Sequence, residues 1–253
     1  VCRLLLEKKI HYKDAERIYR VDVISSRDGI DKYHANSAGP YGTTLKRDYP
    51  QIESMVRMRF LNRELVEYNN KRLYEEKLYW AGPGFFDVFS HEFIKGNPKT
   101  ALKEPNTIVL TKSSAKKIFG RVAEALNKVI RIEEKNYKVV GVIENVPDNS
   151  DIQFNALLAA PSKLPSYLEM WGNFNLYTYV KLRKGVEHKK FEQKIQEMRD
   201  KYMQTAMKRF QETYTTLLFP LTKIHLYASN RRTNKGTGIL YVFIFSTSAI
   251  FIL

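Results

Sequence analysis

One cysteine, Cys2, stands in 253 residues. A single thiol excludes an intramolecular disulfide framework and a multi-cysteine zinc site within the chain, and it leaves the redox compartment open. Nothing around Cys2 resembles a lipoprotein signal, and residues 1–10 lack the long apolar stretch and cleavage site of a secretory leader. The five histidines, His11, His34, His91, His188 and His225, do not pair at metal-ligand spacing, and no HExxH is present. His225, within PLTKIHL, is the most tempting, and it reads as a structural histidine satisfied by its neighbours. G-x-S-x-G and the phosphate-binding G-x-x-x-x-G-K-[ST] are also missing. Gly82-Pro83-Gly84 begins like a dinucleotide loop, but the third glycine is absent and Phe85-Phe86 follows, so it reads as a turn. No catalytic, cofactor-binding or metal-ligating set emerges. An enzyme with a scattered active site has no constellation in its favour.

What the chain has is basic charge and apolar residues. Lys and Arg total 42 against 27 Asp and Glu, a formal charge of +15. Such a balance attracts phosphates, acidic proteins or anionic head groups. The basic residues are spread along the chain, with only short groups at Lys8-Lys9, Lys116-Lys117, Lys189-Lys190 and Arg231-Arg232, so a solvated face explains most of them. A nucleic-acid-binding or anionic-surface-binding protein is the alternative that the charge supports, although no nucleic-acid motif is recognisable. A hydrophobic content of 43% is ample for a packed core. Residues 239–253 read ILYVFIFSTSAIFIL without a charge, as the start of a membrane helix, with a buried helix or strand of a soluble protein as the alternative. Arg231, Arg232 and Lys235 just before that run would favour a cytoplasmic side, but the positive-inside tendency governs short loops and not whole domains.

Residues 18–25 (IYRVDVIS) alternate and predict a half-buried strand. A short helix follows, with Pro40 in its first turn and Asp48-Tyr49-Pro50 as its stop, and residues 55–61 predict a second strand. Asn69-Asn70 between residues 65–68 and 73–80 signals a hairpin. Four phenylalanines within residues 85–93 predict core. Residues 108–110 predict a strand, followed by a helix capped by Thr111 or Ser113 and ended by Gly120. Residues 129–132 and 137–143 predict a hairpin turning at 134–136, and Pro147 to Ser150 is turn chemistry. After a strand at 176–182, residues 186–210 predict the longest helix, with Phe191, Ile195, Met198 and Tyr202 as its apolar stripe. Residues 216–221 predict the last strand. Strand-helix-strand at both ends of a strand-rich middle suggests one split subdomain with a second inserted into it.

Four stretches carry a family resemblance. They are YKDAERIYRVDV (12–23), TIVLTKSSAKKIFG (107–120) with ALNKVI (125–130) after it, YKVVGVIENVPDNS (137–150) and FPLTKIHL (219–226). In this order they resemble the MacB-like periplasmic core domain of FtsX-like ABC transporter permeases, especially Bacteroidetes versions. One departure is Asn127 where the family has glycine; Asn visits left-handed backbone at modest cost, so the turn is expected to survive.

The resemblance implies an α+β fold: a discontinuous membrane-proximal subdomain of two βαβ-like units, residues 12–80 and 173–230, with an inserted mixed β-rich subdomain, 81–172. It makes residues 1–11 the end of a preceding membrane-helix region and 239–253 the start of a transmembrane helix, with one span before Val1 and three after Gly238. It implies a non-catalytic domain without cofactor or metal, facing the periplasm from a bacterial inner membrane. The expected partners are an ABC ATPase subunit, a second permease copy in a homodimer or pseudo-dimer, and a periplasmic adaptor or substrate protein, with no nucleic acid.

Overall fold

A computed structural model describes residues 12–224 with the exception of 149. Cys2, His11, His225, the basic group at 231–235 and the expected membrane-adjacent segments 1–11 and 239–253 lie outside the described residues. Within them, no helix is long and apolar enough to cross a membrane.

The chain opens with a 3₁₀ turn at Ala15–Arg17 and then β1 (Ile18–Arg27), β2 (Ile30–His34), α1 (Gly39–Asp48), β3 (Ile52–Tyr68) and β4 (Lys71–Ala81). Next come α2 (Phe85–Val88), β5 (Phe93–Gly96), β6 (Thr107–Thr111), α3 (Lys112–Phe119), β7 (Val129–Ile132), β8 (Lys135–Ile143) and β9 (Ala156–Ala159). The last third holds β10 (Tyr177–Leu182), three short helices α4 (His188–Lys194), α5 (Glu197–Tyr202) and α6 (Gln204–Phe210), and β11 (Thr213–Pro220). The described strands join in one mixed sheet, ordered β11-β1-β10-β3-β4-β9-β6-β8-β5, with β2 beside β1 and β7 bridging β3 and β8. Pairing is parallel between β4 and β9 and between β6 and β8, and antiparallel elsewhere. The fold is α+β, with α1 and α4 to α6 on the β11-to-β3 end and α3 over the far end.

Local chemistry explains most of these elements. Pro40 sits in the first turn of α1, where its missing N–H costs nothing, and Leu45 is fully buried beneath the helix. The Thr111 hydroxyl accepts from the Ser114 N–H at 3.4 Å to cap α3, and Gly120 at φ 83° closes it. Asn69 takes φ 50° in the tight β3–β4 turn, and Asn127 takes φ 64°, so the glycine-to-asparagine departure keeps its backbone. Phe85 and Phe89 are fully buried, and Phe86 and Phe93 pack against the same cluster.

Several elements differ from expectation. Strand β1 is not half-buried: its residues 18–23 are all buried, because Arg20 and Asp22 satisfy each other on the face opposite Val21 and Val23. The Asp28-Gly29 turn, with both residues at positive φ, folds β2 back on β1, a hairpin that the expected strand at 18–25 leaves out. Strand β3 runs unbroken through residues 62–64 because bulges at Asn62 absorb the irregularity. The β7–β8 turn lies at Glu133-Glu134, with Ile132 opposite Lys135, two residues earlier than the polar triplet suggests. Strand β9, all four residues buried between β4 and β6, carries no alternation that could mark it.

The single long helix over 186–210 is instead three helices. Its breaks follow from the edge of the sheet. At Gln196 the chain switches to tighter i→i−3 bonds, Gln196 N–H to Gln193 O at 3.2 Å and Arg199 N–H to Gln196 O at 3.0 Å. The Gln196 amide can then pair with β11 like a strand, donating to Thr216 O at 2.7 Å and accepting from Thr216 N–H at 3.1 Å. Glu192 accepts from the next outward N–H, that of Leu218, at 2.6 Å. Side chains thereby close an edge that would otherwise be open for pairing. Phe191, Ile195 and Met198 still share one buried stripe. Gln196→Ala is expected to cost about 1–3 kcal/mol, since it leaves the buried Thr216 backbone unpaired. Urea unfolding would measure the loss, and Gln196→Glu should restore only the acceptor half.

Candidate functional site

The region where the described ends of the chain meet the middle of the protein is built by three of the four motif stretches. Strands β1 and β11 are antiparallel neighbours with Tyr19 opposite Pro220, so the segment leading into β1 and the segment leaving β11 sit at the same end of the sheet. Tyr12, Ala15, Ile18, Leu221 and Ile224 then share one core cluster with Phe85, Phe89 and Phe154. Both ends are packed into the same junction.

Tyr12 is the centre of that junction. Its hydroxyl is 3.0 Å from Ser150 Oγ, its ring lies 5.0 Å from Phe89 and 5.4 Å from His91, and the neighbouring Lys13 N–H donates to Ser90 Oγ at 2.8 Å. Ser150 is held by its own N–H to Pro147 O at 2.8 Å, which is the turn of the VPDNS motif. Phe85 meets Phe89 at 5.2 Å and Phe154 at 5.6 Å, and Phe89 meets Tyr179 of β10 at 5.1 Å. Burial drives the Tyr12 and Tyr179 hydroxyls well above the ordinary phenol range, so both stay neutral.

An ionic group beside the junction fixes the leading segment to the sheet. Arg17 pairs with Asp14 at 2.8 Å and with Glu53 of β3 at 2.5 Å, while Lys181 of β10 reaches the same carboxylates at 2.9 and 3.4 Å. Hydrogen bonding from Lys181, with Arg17 adding to it, holds the Asp14 carboxyl below the usual carboxylate range. The second motif connects by polar contacts as well: Lys112 pairs with Glu144 at 3.0 Å and Ser113 N–H donates to Asn145 Oδ1 at 2.9 Å. The motif residues thus mark the places where distant segments are fastened together.

The described histidines, His34, His91 and His188, are dispersed among aromatic rings. His34 lies 4.7 Å from Phe174 with Nε2 3.0 Å from Ser25 Oγ, His91 sits among Tyr12, Phe85 and Phe154, and His188 stacks on Tyr19 at 5.1 Å. Among the described residues no three His, Cys, Asp or Glu side chains gather into a metal-binding group. Burial, with Lys32 adding repulsion and Glu212 opposing, lowers the His34 pKa. The unfolded chain therefore takes up this proton first as pH falls, and stability drops through and below the ordinary imidazole range. Urea midpoints should be lower at pH 5.5 than at pH 7.5, and His34→Gln should shrink the difference.

Beside the junction lies a cleft of about 360 Å³ between β3, the Gly82-Pro83-Gly84 turn and the loops at 102–105 and 160–164. The turn is close-packed, since a Cβ on Gly84 would come 2.3 Å from Met55 O. Sequence reasoning gave no sign of this cleft, because its walls come from segments far apart in the chain.

The sequence model of one family, described as the MacB-like periplasmic core domain, matches residues 8–198. The chain belongs to that family. Among solved structures, the MacB-like fold is shared with a domain of a permease protein from Porphyromonas gingivalis, at TM-score 0.74 and 24% identity over 84% of this chain and 92% of that one. The periplasmic region of MacB from Actinobacillus actinomycetemcomitans gives TM-score 0.57 at 16% identity, covering 85% and 95% of the two chains. The extracellular domain of the noncanonic ABC-type transporter YknZ from Gram-positive bacteria gives 0.53 at 14%, covering 79% and 99%. These identities speak for the fold. No curated protein matches the chain.

Proposed function

We propose that this MacB-like domain is the extracytoplasmic part of an ABC transporter permease of the MacB/FtsX type, set on the periplasmic side of a bacterial inner membrane. It is non-catalytic and passes the motion of membrane helices, driven by an ABC ATPase on a separate region or chain, to whatever is bound outside. The work served is export, the handling of lipoproteins or peptides, or activation of a partner. The observation that carries this reading is the junction: both described ends leave one end of the sheet and are packed around Tyr12 and Ile224. A domain so anchored moves with the segments on either side of it.

The division into a membrane-proximal part, 12–80 and 173–230, and an inserted part, 81–172, is supported by the sheet order, in which β11, β1, β10, β3 and β4 precede β9, β6, β8 and β5. Residues 1–11 and 239–253 join the domain to membrane helices, and two permease copies, or two related ones, act as a pair with a periplasmic adaptor or substrate protein. The names of the MacB and YknZ neighbours support the placement.

Placement is tested by labelling. With Cys2→Ser and the exposed Lys99→Cys in an otherwise thiol-free permease, a membrane-impermeant maleimide should modify intact spheroplasts as fully as lysed ones. Labelling only after lysis would put the domain in the cytoplasm and end the reading.

A further inference from the structure

The cleft beside the junction has an unusual charge distribution. Arg57, Arg59 and Lys103 line it, and among the described residues no Asp or Glu does. Arg57 is already engaged, donating to Gly39 O at 2.8 Å and pairing with Glu169 at 3.1 Å. Among the described residues Arg59 pairs with no carboxylate. It donates to the Tyr167 hydroxyl at 3.0 Å, and its guanidinium carbon lies 5.5 Å from the Trp80 ring centre and 5.9 Å from that of Tyr167. Held between two aromatic rings, the guanidinium is fixed in place with donors left over. Lys103 is exposed at the rim and forms no ion pair among the described residues.

The remaining wall is largely apolar, with Met58, Trp80, Leu102, Leu164 and Leu176 among its residues. Leu102 is buried yet held at φ 61°, a conformation that a bulky side chain adopts only under constraint from its surroundings and one that gathers at ligand sites. A volume near 360 Å³ lies at the small end of the range for small-molecule pockets, about 300–1,000 Å³, and so suits one short chain and not a polymer. Apolar walls with two uncompensated cations, one oriented by aromatic rings, match a ligand with an apolar body and one anionic head.

We infer that this cleft is a binding site for a single-chain amphipathic anion, an acyl or alkyl chain carrying one carboxylate or phosphate. The head meets Arg59 and Lys103, and the chain lies along Trp80 and the leucines. The site stands on the geometry of this chain alone and holds whether or not the domain transmits motion.

The test compares four ligands with a ten-carbon chain, below their micellar concentrations, against the 253-residue chain: decanoate, decyl phosphate, decan-1-ol and decyltrimethylammonium. Calorimetry measures affinity, and fluorescence in a Trp171→Phe background, where Trp80 is the remaining tryptophan, reports position. At least one of the two anions should bind with Kd below about 1 mM and shift Trp80 emission, at least tenfold tighter than the alcohol or the cation. The tighter anion identifies the head group. Arg59→Gln should weaken it about tenfold and Lys103→Gln several-fold, with circular dichroism unchanged. Equal binding of decyltrimethylammonium, absence of binding by both anions, or unchanged anion affinity in a folded Arg59→Gln or Lys103→Gln variant would overturn the assignment. Should Arg59→Gln fail to fold, the Lys103→Gln result and the comparison of head groups decide it.

Discussion

Asp22→Ala is expected to cost about 3–5 kcal/mol, because it breaks a buried ion pair. The Asp22 side chain is 0% exposed and the Arg20 side chain 5%, with Arg20 Nε 2.6 Å and Nη2 3.0 Å from the two carboxylate oxygens. The Tyr33 hydroxyl donates to the same carboxylate, and Arg20 also lies 5.5 Å from the centre of the Phe219 ring. Burial pulls down on the guanidinium, but the Asp22 hydrogen bonds and charge outweigh it, leaving the Arg20 pKa raised. Removing the carboxylate strands that cation in the sheet between β11 and β10. The double replacement Arg20→Met with Asp22→Leu should recover most of the loss, because it removes the buried charge altogether. Chemical denaturation of the four proteins of the cycle separates the cost of an orphaned charge from the value of the pair.

Phe85→Ala is expected to cost about 3–5 kcal/mol, from lost burial and from the cavity left behind. Phe85 is fully buried and touches four other rings, Phe86, Phe89, His91 and Phe154, at centroid distances of 5.1 to 5.7 Å. Those rings support Tyr12, so the same substitution should loosen the leading segment as well. Hydrogen exchange at residues 12–17 should rise beyond what the global loss of stability explains, while Phe85→Leu, which keeps most of the volume, should cost less and leave those amides protected.

Fold class and the local punctuation of the chain were legible in the sequence. Caps and turns act locally, so Thr111, Gly120, Pro40 and the Asn69 turn could be read directly. The junction was not read from the sequence: the stretches YKDAERIYRVDV, VPDNS and PLTKI, singled out for their resemblance, contain Tyr12, Ser150 and Ile224, but no periodicity reveals that these residues meet. Three features were hidden because long-range partners decide them. Arg20 and Asp22 read as the polar face of a strand, since nothing local announces that Tyr33 and Phe219 will cover them. The helix over 186–210 has an unbroken apolar stripe, and only the open edge of β11 explains why it breaks at Gln196. The cleft is assembled from segments up to 133 residues apart, Thr43 and Leu176 among them, so no motif could mark it.

The central claim, that the domain moves as one body with the membrane helices it is joined to, is tested by spin-label distances in the full permease with its ATPase in lipid nanodiscs. One pair, Lys99→Cys with Lys208→Cys, spans the two parts proposed for a single domain, inserted and membrane-proximal. The other, Lys71→Cys in each of two copies, spans the pair of domains. The expected result is an intradomain distance unchanged between nucleotide-free and ATP-trapped states and an intercopy distance that shifts between them. An intercopy distance that stays fixed through the ATP cycle, or a shift confined to the intradomain pair, would contradict it.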